Sequence, residues 1–284
     1  MGSERENVAV VTGANKGLGF EIVKQLCGQY PGLVYLTSRD STRGLEACEK
    51  IRKLGLKVCY HQLDVTDSDS VEIFVSYCKE KYGEIDLLIN NAGVLYHKNT
   101  ELSRETLVHQ IEETMKVNFF SLVNFTESIL PLLKNGGKII NISSSSGHLS
   151  RIPGEELRNR IKSTDSVEEL IKLMNSYLVA CRNGEEIEGG WGDSSYVVSK
   201  VGVNSYTFIL HRRLSAKDIS VTCVHPGYVQ TDMTGGAGQV SAGAAAALPV
   251  RLALAARAQG YVWHDGRAVP WDGPDPRGFI DGRK

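Results

Sequence analysis

Short apolar runs alternate with helical segments along almost the whole chain, and this alternation constrains the fold more than any other feature. The runs are continuous and rich in β-branched residues, which is typical of strands covered on both faces. They are Val8–Thr12, Leu33–Thr37, Val58–Gln62, Asp86–Asn90, Lys138–Ser143 and Ile219–His225. Helical periodicity fills the intervals at Leu18–Gln29, Thr42–Leu54, Ser68–Tyr82, Thr114–Lys134 and Tyr196–Ala216. The pattern predicts an α/β fold with a doubly wound parallel sheet.

Residues 145–195 interrupt this alternation. Ser166-Val167-Glu168-Glu169 is a capping-box pattern. The apolar residues after it share one helical stripe, which consists of Val167, Leu170, Ile171, Met174, Tyr177, Leu178 and Cys181. We therefore predict a helical insertion followed by a glycine-rich loop, within a single domain over residues 1–284.

Composition excludes several classes of protein. The chain has 32 Lys and Arg against 33 Asp and Glu, which argues against a nucleic-acid partner because such partners need a concentrated positive field. Its six cysteines form no Cys-x-x-Cys pair, so we expect no metal site and a reducing, cytoplasmic location. The most apolar stretch, Val240–Ala258, contains Pro249 and two arginines, and we expect no membrane span.

A glycine-rich turn follows the first predicted strand and opens a helix. Its sequence is Thr12-Gly13-Ala14-Asn15-Lys16-Gly17-Leu18-Gly19. Gly13 would permit the tight turn, Gly17 the approach of a pyrophosphate, and Gly19 close packing of helix and strand. The helix N-terminus would offer N–H groups and a positive dipole end to the phosphates. A plain tight turn is the alternative, and the strand–turn–helix context favours a dinucleotide site.

The end of the second predicted strand indicates which dinucleotide binds. Ser38 stands where an NAD site usually has an acidic residue, and Arg39 follows it. Arg39 and Lys16 could together hold the 2′-phosphate of NADPH. The alternatives are that both are solvated surface charges, or that Asp40 pairs with Arg39. We predict NADPH as the cofactor.

A tyrosine and a lysine one helical turn apart open the last long predicted helix. Tyr196 and Lys200 share one helix face. A free tyrosine has a pKa of about 10, and a nearby ammonium should lower it toward general acid–base work. Ser144 follows a buried strand, where a hydroxyl can bond a substrate oxygen. The alternatives are an ordinary surface pair and a polar turn, in which another serine of Ser143–Ser146 could be the one that matters.

In this order the motifs resemble those of the short-chain dehydrogenase/reductase family, which has the Rossmann fold. The matching residues are Thr12, Gly13, Gly17, Gly19, Asp64, Asn90, Asn91, Ala92, Gly93, Asn118, Ser144, Tyr196, Lys200, Pro226 and Gly227. Within that family the chain is similar to the monomeric, NADPH-dependent carbonyl reductases. Segments that carry this closer similarity include Leu36–Asp40, His61–Asp64, Met115–Phe120 and Gly227–Met233. That group also has a long insertion before the tyrosine, which implies a monomer because the insertion covers the face that relatives use to oligomerise.

The resemblance implies four catalytic residues. Tyr196 would donate a proton to the carbonyl oxygen, and Lys200 would hold the nicotinamide ribose. Ser144 would polarise the carbonyl group, and Asn118 would hold a water that relays protons to Lys200. The alternative interpretation of Asn118 is a residue at a helix kink.

The resemblance also implies the lining of the binding sites. The cofactor would contact further residues outside the glycine-rich turn, namely Asp64, Val65, Asn91, Ala92, Gly93, Tyr196, Lys200, Pro226, Gly227, Val229 and Thr231. Residues 228–284 would supply a substrate loop and a C-terminal segment. Candidate walls of the substrate pocket are Tyr96, His97, Trp191 and Tyr228, each with plain packing as the alternative.

We therefore predict an enzyme that reduces ketones, aldehydes or quinones to alcohols with NADPH. No fixed carboxylate or arginine clamp for an acidic substrate stands out in the sequence, so a largely apolar carbonyl compound is favoured. The alternatives are a steroid- or prostaglandin-type alcohol dehydrogenase on the same scaffold, a non-catalytic protein that senses NADP(H), and a sugar-nucleotide epimerase.

Overall fold

The computed structural model describes residues 6–96 and 102–275. Its strands are β1 (Asn7–Val11), β2 (Gly32–Ser38), β3 (Cys59–Gln62), β4 (Ile85–Asn90), β5 (Leu133–Ile142), β6 (Ser220–His225), β7 (Val229–Gln230), β8 (Val240–Ser241) and β9 (Gly260–Trp263). Within the described residues, seven strands form one parallel sheet in the order β3-β2-β1-β4-β5-β6-β9. β7 and β8 form a separate parallel pair. The predicted doubly wound sheet is confirmed.

Helices cover both faces of this sheet. They are α1 (Gly17–Gln29), α2 (Ser41–Arg52), α3 (Ser68–Tyr82), α4 (Arg104–Met115), α5 (Ser121–Ile129), α6 (Glu155–Ser163), α7 (Val167–Asn183), α8 (Ser195–Leu214) and α9 (Ala242–Leu254). One apolar cluster packs α3, α5 and α8 against the sheet, and a second packs α1, α2 and α9 against the other face. Burial on both sides explains why the central strands are continuous apolar runs. Among these helices, none combines the length and apolarity that crossing a bilayer requires.

The strand order places a crevice at the centre of the sheet. β1 pairs with β2 on one side and with β4 on the other. β2 and β3 therefore extend the sheet on one side of β1, and β4, β5 and β6 extend it on the other. In such sheets ligands bind outside the carboxyl ends of the strands at this switch point. The loops after β1, β4, β5 and β6 meet at that edge.

The predicted helix Thr114–Lys134 is wrong at both ends. α4 begins ten residues earlier at Arg104, where the Ser103 hydroxyl accepts the N–H of Thr106. A π-helical turn, Lys116–Phe120, joins α4 to α5. The helix ends at Ile129, because Pro131 occupies a 3₁₀ turn and Leu133 already pairs with Ile85 in the sheet.

Five further elements have no counterpart in the predicted pattern: α6, α9, β7, β8 and β9. α9 is rich in alanine and packs closely on α1. Between these two helices the side-chain amide of Gln25 donates to the Gly243 carbonyl at 2.7 Å. Small residues hide the usual amphipathic pattern, so this helix has no clear apolar period.

The predicted insertion contains α6 and α7. Ser166 caps α7 by accepting the N–H of Glu169 at 3.1 Å, as the capping-box pattern predicts. Most of the predicted stripe is buried, and Ile171 and Leu178 are partly buried. Two ion pairs tie the end of α7 and its following loop to α4, namely Arg182 with Glu112 at 2.6 Å and Arg104 with Glu186 at 2.8 Å.

Candidate active site

The glycine-rich turn lies against the segment that follows β4. Gly13 has a φ of +61°, and a Cβ atom there would lie 2.8 Å from the Cα of Ala92. The side-chain amide of Asn91 donates to the carbonyl oxygens of Thr12 and Gly13 at 2.9 and 3.0 Å. A Cβ atom on Gly19 would lie 2.4 Å from that amide nitrogen. Glycine is therefore required at both positions to let the turn, the helix and the β4 segment pack together.

α1 begins after this turn with an open N-terminus. Lys16 occupies the N-cap without a side-chain capping bond, and the first turn contains no acidic residue. Its N–H groups are therefore available to an anion. Gly17 has a φ of +57°. A Cβ atom on Gly17 would lie 3.4 Å from Cγ2 of Thr231, which belongs to the loop after β6. Asn15 and Leu18 are half-buried in the same turn, and the arrangement suits a phosphate group.

The two cations predicted to hold the 2′-phosphate of NADPH have different surroundings. Lys16 Nζ lies 2.7 Å from Asp232 in the loop after β6. Arg39 is exposed beyond the carboxyl end of β2 and makes no ion pair with any residue in 6–96 or 102–275. Asp40 does not pair with Arg39, because it caps α2 through the N–H of Arg43 and lies 3.6 Å from the Arg43 guanidinium.

The predicted adenosine side is shaped by two other side chains. Ser38 is buried, and its hydroxyl donates to the Asp40 carbonyl at 2.8 Å. The acidic residue of a typical NAD site therefore has no counterpart at this position. Asp64 accepts the N–H and the hydroxyl of Thr66 at 2.9 and 2.7 Å, and Val65 is half-buried beside it.

The three predicted catalytic side chains meet at the carboxyl end of β5. Ser144 follows that strand, and Tyr196 and Lys200 lie in the first turns of α8. The Ser144 hydroxyl lies near enough to the Tyr196 hydroxyl to lower the pKa of that phenol. Lys200 Nζ lies 5.7 Å from the centre of the Tyr196 ring and donates to the Ile142 carbonyl at 2.8 Å. A Cβ atom on Gly93 would lie 4.0 Å from the same Nζ, so the segment after β4 borders this group.

Burial controls the protonation of this group. It raises the pKa of Tyr196, and the nearby Ser144 hydroxyl offsets part of that rise. It lowers the pKa of Lys200 to about 8. The sequence predicts that Lys200 lowers the pKa of Tyr196, and the structure does not show this. Burial is the larger influence on Tyr196, and Lys200 Nζ donates its hydrogen bond to the Ile142 carbonyl.

Asn118 lies in the π-helical turn and is fully buried. Its Oδ1 accepts the N–H of Val94 at 2.8 Å, and its Nδ2 donates to the Val94 carbonyl at 2.9 Å and to the Ser199 hydroxyl at 3.2 Å. Both ends of the side-chain amide are therefore engaged in clamping the β4 segment onto α8. The kink interpretation is consistent with this placement, because π-helical turns interrupt regular helices and are frequent at functional sites.

Comparison with models of protein families shows which family the chain belongs to. A family model described as short chain dehydrogenase matches residues 7–154 and 179–240. The chain belongs to the short-chain dehydrogenase family. The unmatched residues 155–178 contain α6 and most of α7, so the helical insertion is an addition to the family's common core.

Known proteins are similar to this dehydrogenase over almost its whole length. Carbonyl reductase (NADPH) 1 of Sus scrofa is 38% identical over 283 residues, which are 96% of this chain and 96% of that protein. The structure of salutaridine reductase from Papaver somniferum superposes with a TM-score of 0.81 at 32% identity, covering 91% of this chain and 99% of that chain. Menthone neomenthol reductase from Mentha piperita gives a TM-score of 0.76 at 28% identity, with 91% and 99% covered. The predicted family and fold are confirmed.

The predicted pocket walls of this dehydrogenase have different surroundings. Tyr96 and Tyr228 follow β4 and β6 and are 44% and 50% exposed. Trp191 is 5% exposed and packs on Tyr177 of α7 with 5.2 Å between ring centres, which agrees with plain packing. His97 lies outside the described residues.

The loop after β6 carries the remaining predicted cofactor residues. Pro226 and Gly227 follow the strand directly, and Gly227 has a φ of +91°. A Cβ atom on Gly227 would lie 3.4 Å from His264, so the loop packs against the segment after β9. Val229 is buried and pairs with Val240.

One contact to the catalytic group was missed by sequence reasoning. Tyr261 of β9 donates a hydrogen bond to the Ser144 carbonyl. The available signal was the short run Gly260-Tyr261-Val262-Trp263, whose aromatic and β-branched residues favour a strand.

Proposed function

We propose that this short-chain dehydrogenase reduces ketones, aldehydes or quinones to alcohols with NADPH, with Tyr196 as the proton donor. The observation that carries the proposal is the group formed by half-buried Tyr196 and Ser144 with buried Lys200, at the same sheet edge as the open N-terminus of α1. The relative from Sus scrofa is named a carbonyl reductase that uses NADPH. That name agrees with the substrate class and the cofactor proposed here.

The residues of the crevice fit NADPH. The uncapped α1 N-terminus and Gly17 would hold the pyrophosphate. Arg39 and Lys16 would hold the 2′-phosphate. Further contacts would come from Ser38, Asp64, Val65, Asn91, Ala92, Gly93, Pro226, Gly227, Val229 and Thr231, and Lys200 would hold the nicotinamide ribose. When bound, NADPH supplies the hydride that reduces the carbonyl carbon.

The catalytic side chains would handle the proton. Because burial raises the pKa of Tyr196, its hydroxyl stays protonated at neutral pH and can give its proton to the carbonyl oxygen. The Ser144 hydroxyl accepts the N–H of Ser146 at 3.1 Å, which leaves its own proton for the substrate oxygen. The Lys200 ammonium lies 5.7 Å from the centre of the Tyr196 ring and would return a proton to the phenolate left after proton transfer. A relay water would be held by the second lone pair of Asn118 Oδ1 or by the Asn118 backbone carbonyl.

An assay of coenzyme oxidation over a panel of carbonyl compounds tests this function. We expect turnover of apolar ketones, aldehydes or quinones with NADPH, and much slower turnover with NADH. Reactions without carbonyl compound control for background oxidation. Tight binding of NADPH without turnover of any carbonyl compound would instead support the non-catalytic, cofactor-sensing alternative.

The rate of reduction should depend on pH through Lys200. Burial lowers the pKa of Lys200 to about 8, so its ammonium form disappears as the pH rises through that value. Because reduction consumes a proton, we expect the rate to fall above about pH 8. Initial rates from pH 6 to 10 measure this, and the residual activity of Lys200→Arg should lack the falling limb because arginine stays protonated. A flat wild-type profile contradicts the role of Lys200.

We also propose that the chain is a single domain and a monomer. α7 and its following loop are tied to α4 by the pairs Arg182–Glu112 and Arg104–Glu186, so the insertion covers the outer side of that helix. Sedimentation should give one species near 31.1 kDa. A stable dimer over a wide range of concentration contradicts the shielding role of the insertion.

The cysteines favour the proposed cytoplasmic location. All six are free thiols in the structure, and four of them are buried. Free thiols persist in reducing compartments.

A further inference from the structure

The loop that carries Ser144 is held by a side chain from a distant part of the chain. Tyr261 lies in the edge strand β9, is 1% exposed, and donates its hydroxyl proton to the Ser144 carbonyl. In the sheet, Tyr261 pairs with Cys223 of β6, which pairs in turn with Asn141 of β5. The phenol therefore reaches past β6 to Ser144, two residues after the end of β5.

This bond completes the hydrogen bonding of Ser144. The carbonyl of Ser144 also accepts the N–H of Gly147 at 2.9 Å, so both of its lone pairs have partners. The hydroxyl of Ser144 accepts the N–H of Ser146 at 3.1 Å and contacts Tyr196. Hydrogen bonds therefore fix both the carbonyl and the hydroxyl of Ser144.

We infer that Tyr261 is a positioning residue that aims the Ser144 hydroxyl at the substrate oxygen. The inference rests on the proposed carbonyl reduction, in which Ser144 polarises the substrate. Without the Tyr261 hydroxyl, the Ser144 carbonyl loses one of its two partners, and the loop gains freedom to rotate. Small displacements of a polarising group weaken catalysis strongly, because its hydrogen bond depends on distance and angle.

The residues that follow Ser144 are also hydrogen-bonded to the segment that follows β9. His148 Nε2 lies 3.0 Å from the Pro270 carbonyl, and the N–H of Leu149 donates to the Trp271 carbonyl at 2.8 Å. The segment from β9 onward therefore holds Ser144 and the residues that follow it through several hydrogen bonds. The family model ends at residue 240, so these contacts come from a part of the chain outside the family's matched core.

Tyr261→Phe tests the inference, since it removes the hydroxyl and keeps the ring. We expect kcat to fall about tenfold with the KM for NADPH unchanged, because Ser144 acts on the substrate oxygen. In the Ser144→Ala background the same substitution should cause no further loss, because two residues that act through one contact are not additive. Hydrogen exchange of the Ser146 and Gly147 amides should also become faster in Tyr261→Phe.

Tyr35→Phe is the matched control. Tyr35 is also a buried strand tyrosine, 1% exposed, whose hydroxyl lies 2.7 Å from that of Tyr77, and it sits on β2, away from Ser144. We expect its kcat and the exchange of the Ser144 loop to match the wild type. An unchanged kcat and exchange in Tyr261→Phe, or a full multiplicative loss on top of Ser144→Ala, overturns the inference. If the wild type reduces no carbonyl compound, the proposed function fails, and the exchange measurement still decides whether Tyr261 orders the loop.

Discussion

Replacing Tyr196 with phenylalanine is expected to lower kcat for carbonyl reduction by about a thousandfold, a typical contribution of one general acid. The substitution removes the only proton that Tyr196 can give and leaves the ring in place. The Ser144 hydroxyl keeps its bond from the Ser146 N–H, so the substrate oxygen still finds a donor but no acid. The KM for NADPH should stay within about twofold of the wild-type value, because the hydroxyl acts on the substrate oxygen.

A tyrosine on the same helix provides the control. Tyr206 of α8 is fully buried, and its hydroxyl donates to Glu127 at 2.8 Å. Tyr206→Phe should lower the thermal midpoint of unfolding and leave kcat close to the wild-type value. Steady-state rates and a titration of NADPH binding on both variants separate the two effects. If Tyr196→Phe retained a kcat within a few fold of the wild type, Tyr196 could not be the acid.

Most of the fold follows from patterns that act locally. The central strands are buried on both faces, so their apolar runs stand out, and Ser166 begins α7 as its capping box predicts. The errors fall where tertiary contacts decide. Leu133 joins the sheet by pairing with Ile85, which no local pattern around Pro131 reveals. α9 is stabilised by close packing on α1 rather than by an amphipathic stripe.

The candidate site could be predicted as a set of residues, but not as a set of interactions. The spacing of Tyr196 and Lys200 fixes their common helix face, and the structure brings Ser144 to the same place. The direction of the pKa shift of Tyr196 depends on burial, which the spacing of Tyr196 and Lys200 does not reveal. Tyr261 could not be connected with Ser144 from sequence, because the contact depends on the order of β5, β6 and β9 in the sheet.

The surroundings of the two cations near the cofactor crevice rank their contributions to coenzyme choice. Lys16 already pairs with Asp232 at 2.7 Å, so a phosphate would have to compete with that carboxylate. Arg39 makes no ion pair within residues 6–96 and 102–275, and its guanidinium can make two parallel bonds to a phosphate. We therefore expect Arg39 to contribute more to NADPH preference than Lys16.

Arg39→Asp should reverse the coenzyme preference. The change removes charge-assisted bonds to the 2′-phosphate and places a like charge beside it, so kcat/KM for NADPH should fall about a hundredfold. The value for NADH should hold or rise, since a carboxylate at this position can accept the ribose 2′-hydroxyl. Lys50→Asp, on the exposed face of α2, makes the same change in net charge and should leave the ratio of the two coenzymes unaltered. Equal losses with both coenzymes in Arg39→Asp would show that Arg39 supports the fold of the crevice rather than the recognition of the phosphate.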